Sequence, residues 1–263
     1  MSKLTRHTYQ GKPMDPTGKV DYTQEENDTW QTLYSRQLPI LQTRACQEYL
    51  DGMNLLEFSQ HSIPQCQDIS KRLKSLTGWT LEPVKAFMPY DEFFSLLANR
   101  KFPAATFIRR PEELDYLEEP DIFHEVFGHC PLLTHPAYAE FTQMYGKLGL
   151  NASDEDRVML ARLYWFTIEF GLIDTREGLR IYGGGILSSI GESVYCLESS
   201  LPERRPFDVM EALRTPYRID MMQPIYYVIA SFDELFNLIN RDLIGLIQQA
   251  KKLGLYPAVF SEK

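Results

Sequence analysis

Apolar positions along the chain recur mostly at the three- and four-residue spacings of amphipathic helices, and only briefly at the alternation of strands. After an irregular start over 1–22, punctuated by Gly11, Pro13, Pro16 and Gly18, Thr23 and Glu26 make a capping box. It opens a helix that turns Trp30, Leu33 and Tyr34 inward. The pattern predicts a second helix over about 40–57 and a third over 64–76, stopped by Thr77 and Gly78. Strand signals over 79–84 and 105–109 flank a helix at 90–99. Helices resume at 121–130, 136–149 and 153–170, the last capped by Ser153 with Asp156. Short strands over 179–182 and 225–228 are too dispersed for a large sheet. From Ser231 a single amphipathic helix runs to about 252, with Phe232, Leu235, Leu243 and Leu246 on one stripe. It stops after about 20 residues without sustained heptads, which favours packing on its own domain over oligomerisation. The sum is a mainly α single domain with minor β: an arm over 1–22 and one domain over 23–263.

Composition narrows the class. With 263 residues and 44% hydrophobic content the chain can bury a sizeable core. A net charge of −9 disfavours nucleic acid and anionic membrane as partners. The N-terminus is polar, without a signal peptide, and no apolar run reaches the roughly 18 residues of a membrane span. Cys46, Cys66, Cys130 and Cys196 are scattered without Cys-x-x-Cys pairing. That suits a reducing, cytoplasmic setting in which each is a buried small hydrophobe.

The chemistry concentrates in Pro-Asp-Ile-Phe-His-Glu-Val-Phe-Gly-His-Cys-Pro over 120–131. His124, Glu125 and His129 stand with Asp121 in an otherwise apolar segment. Buried polar groups need partners, so the cluster is either a hydrogen-bonded core network or a metal site. Zinc peptidases space their histidines four apart on one helix face; here the spacing is five. On an ideal α-helix that is roughly 140° of rotation and about 7.5 Å of rise, so the rings meet only at a metal off the axis. The spacing argues against a zinc peptidase and leaves another two-histidine site open.

Such a site needs a third ligand. Glu169 is the only acid of the apolar segment 158–173, with Trp165, Phe166 and Leu172 as helical neighbours. A buried carboxylate must be paired, protonated or metal-bound. From this helix alone a salt bridge to Arg162 and metal ligation stand equal; beside the histidine pair, ligation prevails. Two histidines and a carboxylate with open positions is the arrangement of non-haem iron(II) oxygenases.

Three blocks then carry a resemblance: 120–129, Arg-Leu-Tyr-Trp-Phe-Thr-Ile-Glu-Phe-Gly over 162–171, and Tyr-Gly-Gly-Gly-Ile-Leu-Ser-Ser-Ile-Gly-Glu over 182–192. In order and separation they resemble the signature blocks of the pterin-dependent aromatic amino acid hydroxylases, and most resemble bacterial members that act on phenylalanine. The similarity covers nearly all of the chain after about residue 20. It implies the catalytic-domain fold of that family and para-hydroxylation of L-phenylalanine to L-tyrosine by O2, with iron(II) and a tetrahydropterin as cofactors.

By the same resemblance His124, His129 and Glu169 match the iron ligands. Glu125, Phe93, Ala161, Tyr164 and the backbone near Met88 match the pterin side. Arg109 matches the arginine that binds the substrate carboxylate, with a planar guanidinium suited to bidentate capture. Trp165 and Pro120 would line the ring slot, and Ser188 would help to hold substrate and the nearby histidine. The glycines at 183–185 lack the Gly-Lys-Ser/Thr of a phosphate loop and are read as close backbone approach to the pocket. The regulatory and tetramerisation segments of animal relatives are not found, so a monomer or small homo-oligomer is expected. Leu117, Glu118 and Glu119 depart from the animal pattern. Rival readings are the same chemistry on tryptophan or tyrosine, a zinc-dependent hydrolase, and a non-catalytic protein in which Glu169 pairs with Arg162.

Overall fold

The computed structural model describes residues 9–84 and 88–260. The capping box forms as expected: Glu26 N–H donates to Thr23 Oγ1 at 3.3 Å and Thr23 N–H to Glu26 Oε2 at 2.7 Å. It opens α1 (Gln24–Leu41), followed by α2 (Gln47–Leu56) and α3 (Cys66–Leu76). The second helix starts later than the sequence suggested because α1 runs on through Pro39, giving up the one N–H bond that a proline cannot make. After α3 come β1 (Thr80–Val84), α4 (Tyr90–Ala98) and β2 (Lys101–Ala105). The strand expected over 105–109 is therefore displaced. Pairing with β1 in parallel, from Thr80↔Lys101 to Val84↔Ala105, takes up the stretch around Pro103, and 106–109 leaves the sheet toward the site described below.

Two of the helices expected to be α are not wholly so. Phe123–His129 is a π-helix, and the expected 153–170 helix is α6 (Asp154–Tyr164) followed by a π turn over Trp165–Glu169. Between them lies α5 (Pro136–Leu150). The β content exceeds expectation: β3 (Leu172–Thr175), β4 (Gly178–Ile181), β5 (Glu203–Pro206) and β6 (Ile225–Ile229) make one sheet in the order β4-β3-β6-β5. The expected final helix is broken into α10 (Phe232–Ile239) and α11 (Leu243–Leu253). Asp242 restarts it by accepting the Gly245 N–H at 2.9 Å. Its Leu243, Ile247 and Ala250 are buried, so the stripe packs within the domain. No helix of the described residues is long and apolar enough to cross a membrane.

The topology sets the site. The antiparallel β3–β4 pair returns the chain to where it left the second π turn: Tyr182 and Gly183 both donate N–H to Gly171 O, at 3.2 and 3.0 Å. There α7 (Gly184–Leu187) begins, leading into α8 (Ile190–Glu198), with α9 (Val209–Arg214) after β5. The first π-helix is held from the opposite side by aromatic packing. Phe123 and Phe127 stack at 4.6 Å, Trp30 meets Phe123 edge-on at 5.5 Å, and Tyr49 O–H donates to Phe127 O at 2.9 Å.

Of the arm expected over 1–22, residues 1–8 lie outside the described ones. Of the remainder, Val20 pairs with Gln65 ahead of α3, while Tyr9 and Lys12 lie along the strip between β2 and the first π-helix. Tyr9 stacks on Phe107 at 4.5 Å and accepts the Arg110 N–H at 3.1 Å, and Lys12 O accepts Thr106 O–H at 3.0 Å.

Helices α4 and α5 approach backbone to backbone at Gly146, where a Cβ would lie 2.4 Å from Ala98 N and 2.6 Å from Leu97 C. Gly146→Ala is accordingly expected to cost about 1–3 kcal/mol through overpacking and to lower Tm by several degrees in thermal unfolding. An unchanged Tm would mean that the two helices are not so closely joined.

Candidate metal centre and its cavity

In a π-helix each N–H bonds five residues back, not four. His124 and His129, five apart, therefore fall on one face, and the rotation anticipated for an α-helix does not arise. Their Nε2 atoms lie 3.2 Å apart. Glu169, at the end of the second π turn, closes the triangle: Oε1 is 3.3 Å from His129 Nε2 and Oε2 is 3.7 Å from His124 Nε2. One donor atom from each residue lies within 4.8 Å of the others. That turn is closed by Phe170 N–H donating to Trp165 O at 2.9 Å, again five residues back.

Neighbouring groups fix the donors. Ser188 O–H donates to Gly184 O at 2.8 Å, so its lone pairs are left to accept His124 Nδ1–H at 2.9 Å. The proton then sits on Nδ1, and Nε2 presents a lone pair to the cluster. Glycine is required at 184 because a Cβ there would stand 2.3 Å from His129 Cε1. The glycine run thus serves close approach to the site, as read from sequence. Phe102 of β2 covers the other side of the His129 ring, with centroids 5.2 Å apart.

Arg162 does not pair with Glu169; its Nη1 donates to Leu213 O at 3.1 Å. Cys130 turns its Sγ to Glu125 O at 3.4 Å, and burial pushes its thiol far above the usual range. All four cysteines are free and buried, as expected. Two imidazole lone pairs and a carboxylate this close repel one another unless a cation or proton lies among them. Two nitrogens and one oxygen suit a borderline-hard divalent metal such as iron(II).

The cluster opens on a cavity of about 470 Å³ whose walls include Arg109, Pro120, His124, Trp165, Glu169 and Ser188. His129 stands behind it, 1% exposed. Arg109 is oriented by a residue the sequence reading noted but gave no role, the fully buried Asp121. Arg109 Nε donates to Asp121 Oδ2 at 2.8 Å and Nη2 to Oδ1 at 3.0 Å, and the His124 backbone N–H also reaches Oδ1, at 3.0 Å. Burial works to raise the Asp121 carboxyl, but Arg109 and these N–H groups outweigh it and hold it below the ordinary range.

None of the five residues expected on the pterin side is among the described residues lining this cavity. Phe93 and Tyr164 meet edge-on at 5.4 Å, and Ala161 lies one turn before Tyr164 on α6. Burial, then Glu169 and Asp121, raise the Glu125 carboxyl well above the usual range. Met88 is partly buried ahead of α4, and 85–87 beside it lie outside the described residues.

Over residues 2–249 the chain matches the family described as biopterin-dependent aromatic amino acid hydroxylase. The chain belongs to that family. Among relatives of these hydroxylases, it is 54% identical over 255 residues to the phenylalanine-4-hydroxylase of Pseudomonas aeruginosa, covering 97% of both chains. The apo structure of the cold-active phenylalanine hydroxylase of Colwellia psychrerythraea superposes with a TM-score of 0.93 at 52% identity, over 95% of this chain and 97% of that one. A Chromobacterium violaceum phenylalanine hydroxylase structure with bound oxidised Fe(III) gives 0.89 at 43% identity, over 95% and 94%.

Burial pushes the His124 imidazole down to about 4, below the roughly 6.5 of an unfolded histidine. Between these values the unfolded chain takes up a proton that the folded one refuses, so stability is complete above pH 6.5 or so and falls toward pH 4. Burial also works to raise Glu169, yet His129 and His124 outweigh it and leave that carboxyl lowered, which extends the loss in the same direction. Urea denaturation of chelator-treated protein should show this slope, reduced in His124→Gln. Equal slopes in the two proteins would contradict the assignment.

Proposed function

We infer that this chain is an iron(II)- and tetrahydropterin-dependent monooxygenase that hydroxylates L-phenylalanine to L-tyrosine with O2. The observation that carries the reading is the convergence of two imidazoles and one carboxylate at the end of a cavity that also holds a buried arginine. Kinship with named phenylalanine hydroxylases agrees with it.

His124, His129 and Glu169 would hold the iron. Three protein ligands suffice to keep the metal while leaving positions for oxygen and oxidant. Bound iron and tetrahydropterin supply the activation of O2; the chain's own residues orient and enclose. Ser188, by accepting the Nδ1 proton, keeps His124 Nε2 toward the metal. Arg109 would take the substrate carboxylate with the N–H groups that Asp121 leaves over. Trp165 and Pro120 would flank the ring, excluding water and holding the para carbon near the iron. Phe93, Met88, Ala161 and Tyr164 would form the pterin wall, with Glu125 as the acid on that side.

Residues 23–263 make up the proposed catalytic domain, with 1–22 as an arm on it. The packing of α11 inside the domain favours a monomer or small homo-oligomer, in the cytoplasm.

Tyrosine is expected from phenylalanine only when iron(II), a tetrahydropterin and O2 are all supplied, with turnover falling to background when any is omitted. Parallel assays with tyrosine and tryptophan test the substrate choice. Glu169→Ala and His124→Ala should lose iron-dependent tyrosine formation while keeping the wild-type circular dichroism. Full activity in either variant would overturn the ligand assignment.

A further inference from the structure

Trp165 enters the cavity between two rings, Tyr217 stacked at 4.6 Å and 22° and Phe170 at 4.4 Å and 32°. Contacts of this kind restrict the tilt of the ring. Its polar edge is held by a hydrogen bond: indole Nε1–H donates to Gln223 Oε1 at 3.1 Å. Gln223 is 1% exposed. Its Nε2 donates to Arg218 O at 2.9 Å and Met221 O at 3.0 Å. Two carbonyls facing Nε2 determine which way the amide points and leave Oε1 for the indole. One side chain therefore ties the tryptophan to the turn that carries Ile219, Met221 and Met222 along the cavity wall.

Gln223 is itself held. Its backbone N–H donates to Glu192 Oε1 at 2.9 Å, and the same oxygen accepts the Tyr226 O–H. Glu192 is 6% exposed and lies in the first turn of α8, one turn beyond the Ser188 that orients His124. Leaving such a buried donor or acceptor unpaired is costly, so the arrangement is rigid as a unit.

We propose that Gln223, anchored by Glu192, is a positioning residue for the ring slot: it holds the indole edge of Trp165 and the 218–222 turn to each other. Through both it sets how closely the slot fits the substrate ring. This rests on the aromatic hydroxylase reading above. A slot whose wall can slide holds the ring in several poses, of which few present the right carbon to the oxidant.

The test compares Gln223→Met, Trp165→Phe and their double variant with wild type, and Glu192→Gln with Glu192→Met, as iron-loaded enzyme with a tetrahydropterin. In Gln223→Met, loss of the buried hydrogen bonds should raise KM for phenylalanine about tenfold, with a smaller fall in kcat. Tyrosine formed per pterin oxidised should drop, and the preference for phenylalanine over tryptophan should narrow, while iron affinity stays at the wild-type value. Trp165→Phe removes the N–H that Gln223 accepts, so the double variant should be less impaired than the product of the single effects. Glu192→Gln keeps an acceptor oxygen and should resemble wild type, whereas Glu192→Met should resemble Gln223→Met. If Gln223→Met does not fold, the Trp165 and Glu192 variants carry the comparison.

Wild-type KM, coupling and ring preference in Gln223→Met, effects that simply multiply in the double variant, or Glu192→Met indistinguishable from Glu192→Gln would each overturn the proposal while leaving the hydroxylase reading intact. A wild-type enzyme that makes no tyrosine with all cofactors present would overturn both.

Discussion

Three electron-rich atoms brought almost into contact are the constraint on which this structure turns. Two imidazole nitrogens and a carboxylate do not gather in an apolar interior unless the surrounding chain forces them together and a cation rewards it. The forcing is visible on every side. Each ligand-bearing segment adopts the wider π turn, the β3–β4 pair folds the glycine run back onto the cluster, and the aromatic packing of α1 and α2 holds the first π-helix from behind. Such turns are less favourable than ordinary α-helix and are found mostly at functional sites. Here the reason is geometric: they put the donors on one side.

Much of this was legible in the residues. The histidine pair and the lone acid of an apolar helix announced a two-histidine, one-carboxylate site, and most helices followed from caps and periodicity. The five-residue spacing was noticed but not understood, because propensity and patterning rules describe helices bonded four back and say nothing of where a π turn will form. Strands were the weaker part. Leu172–Thr175 follows the ligand helix directly and was absorbed into its apolar run, and Glu203–Pro206 is polar and partly exposed, with no alternation to find. Pro103 concealed the true position of β2. Asp121 stood out as an acid in apolar sequence, yet its partner Arg109 lies twelve residues away, and only the fold brings them together.

The site is layered by charge. At one end Asp121 and Arg109 neutralise each other in a dry setting, and at the other Glu169 faces the histidines. Between them the cavity wall mixes rings and aliphatic side chains such as Phe123, Trp165, Phe170 and Ile190 with polar ones such as Gln37, Ser189 and Glu192.

The strip that carries Arg109 is not regular secondary structure, and its rigidity is borrowed. Tyr9 and Lys12 lie across Phe107, Thr106 and Arg110 like a splint, although about a hundred positions separate them in the chain. Trimming the protein to its helical body, or fusing a bulky tag close to Tyr9, would therefore loosen the strip that carries Arg109 even where the globule stays intact. Expression boundaries chosen from the family blocks alone would discard a support of the strip that carries Arg109.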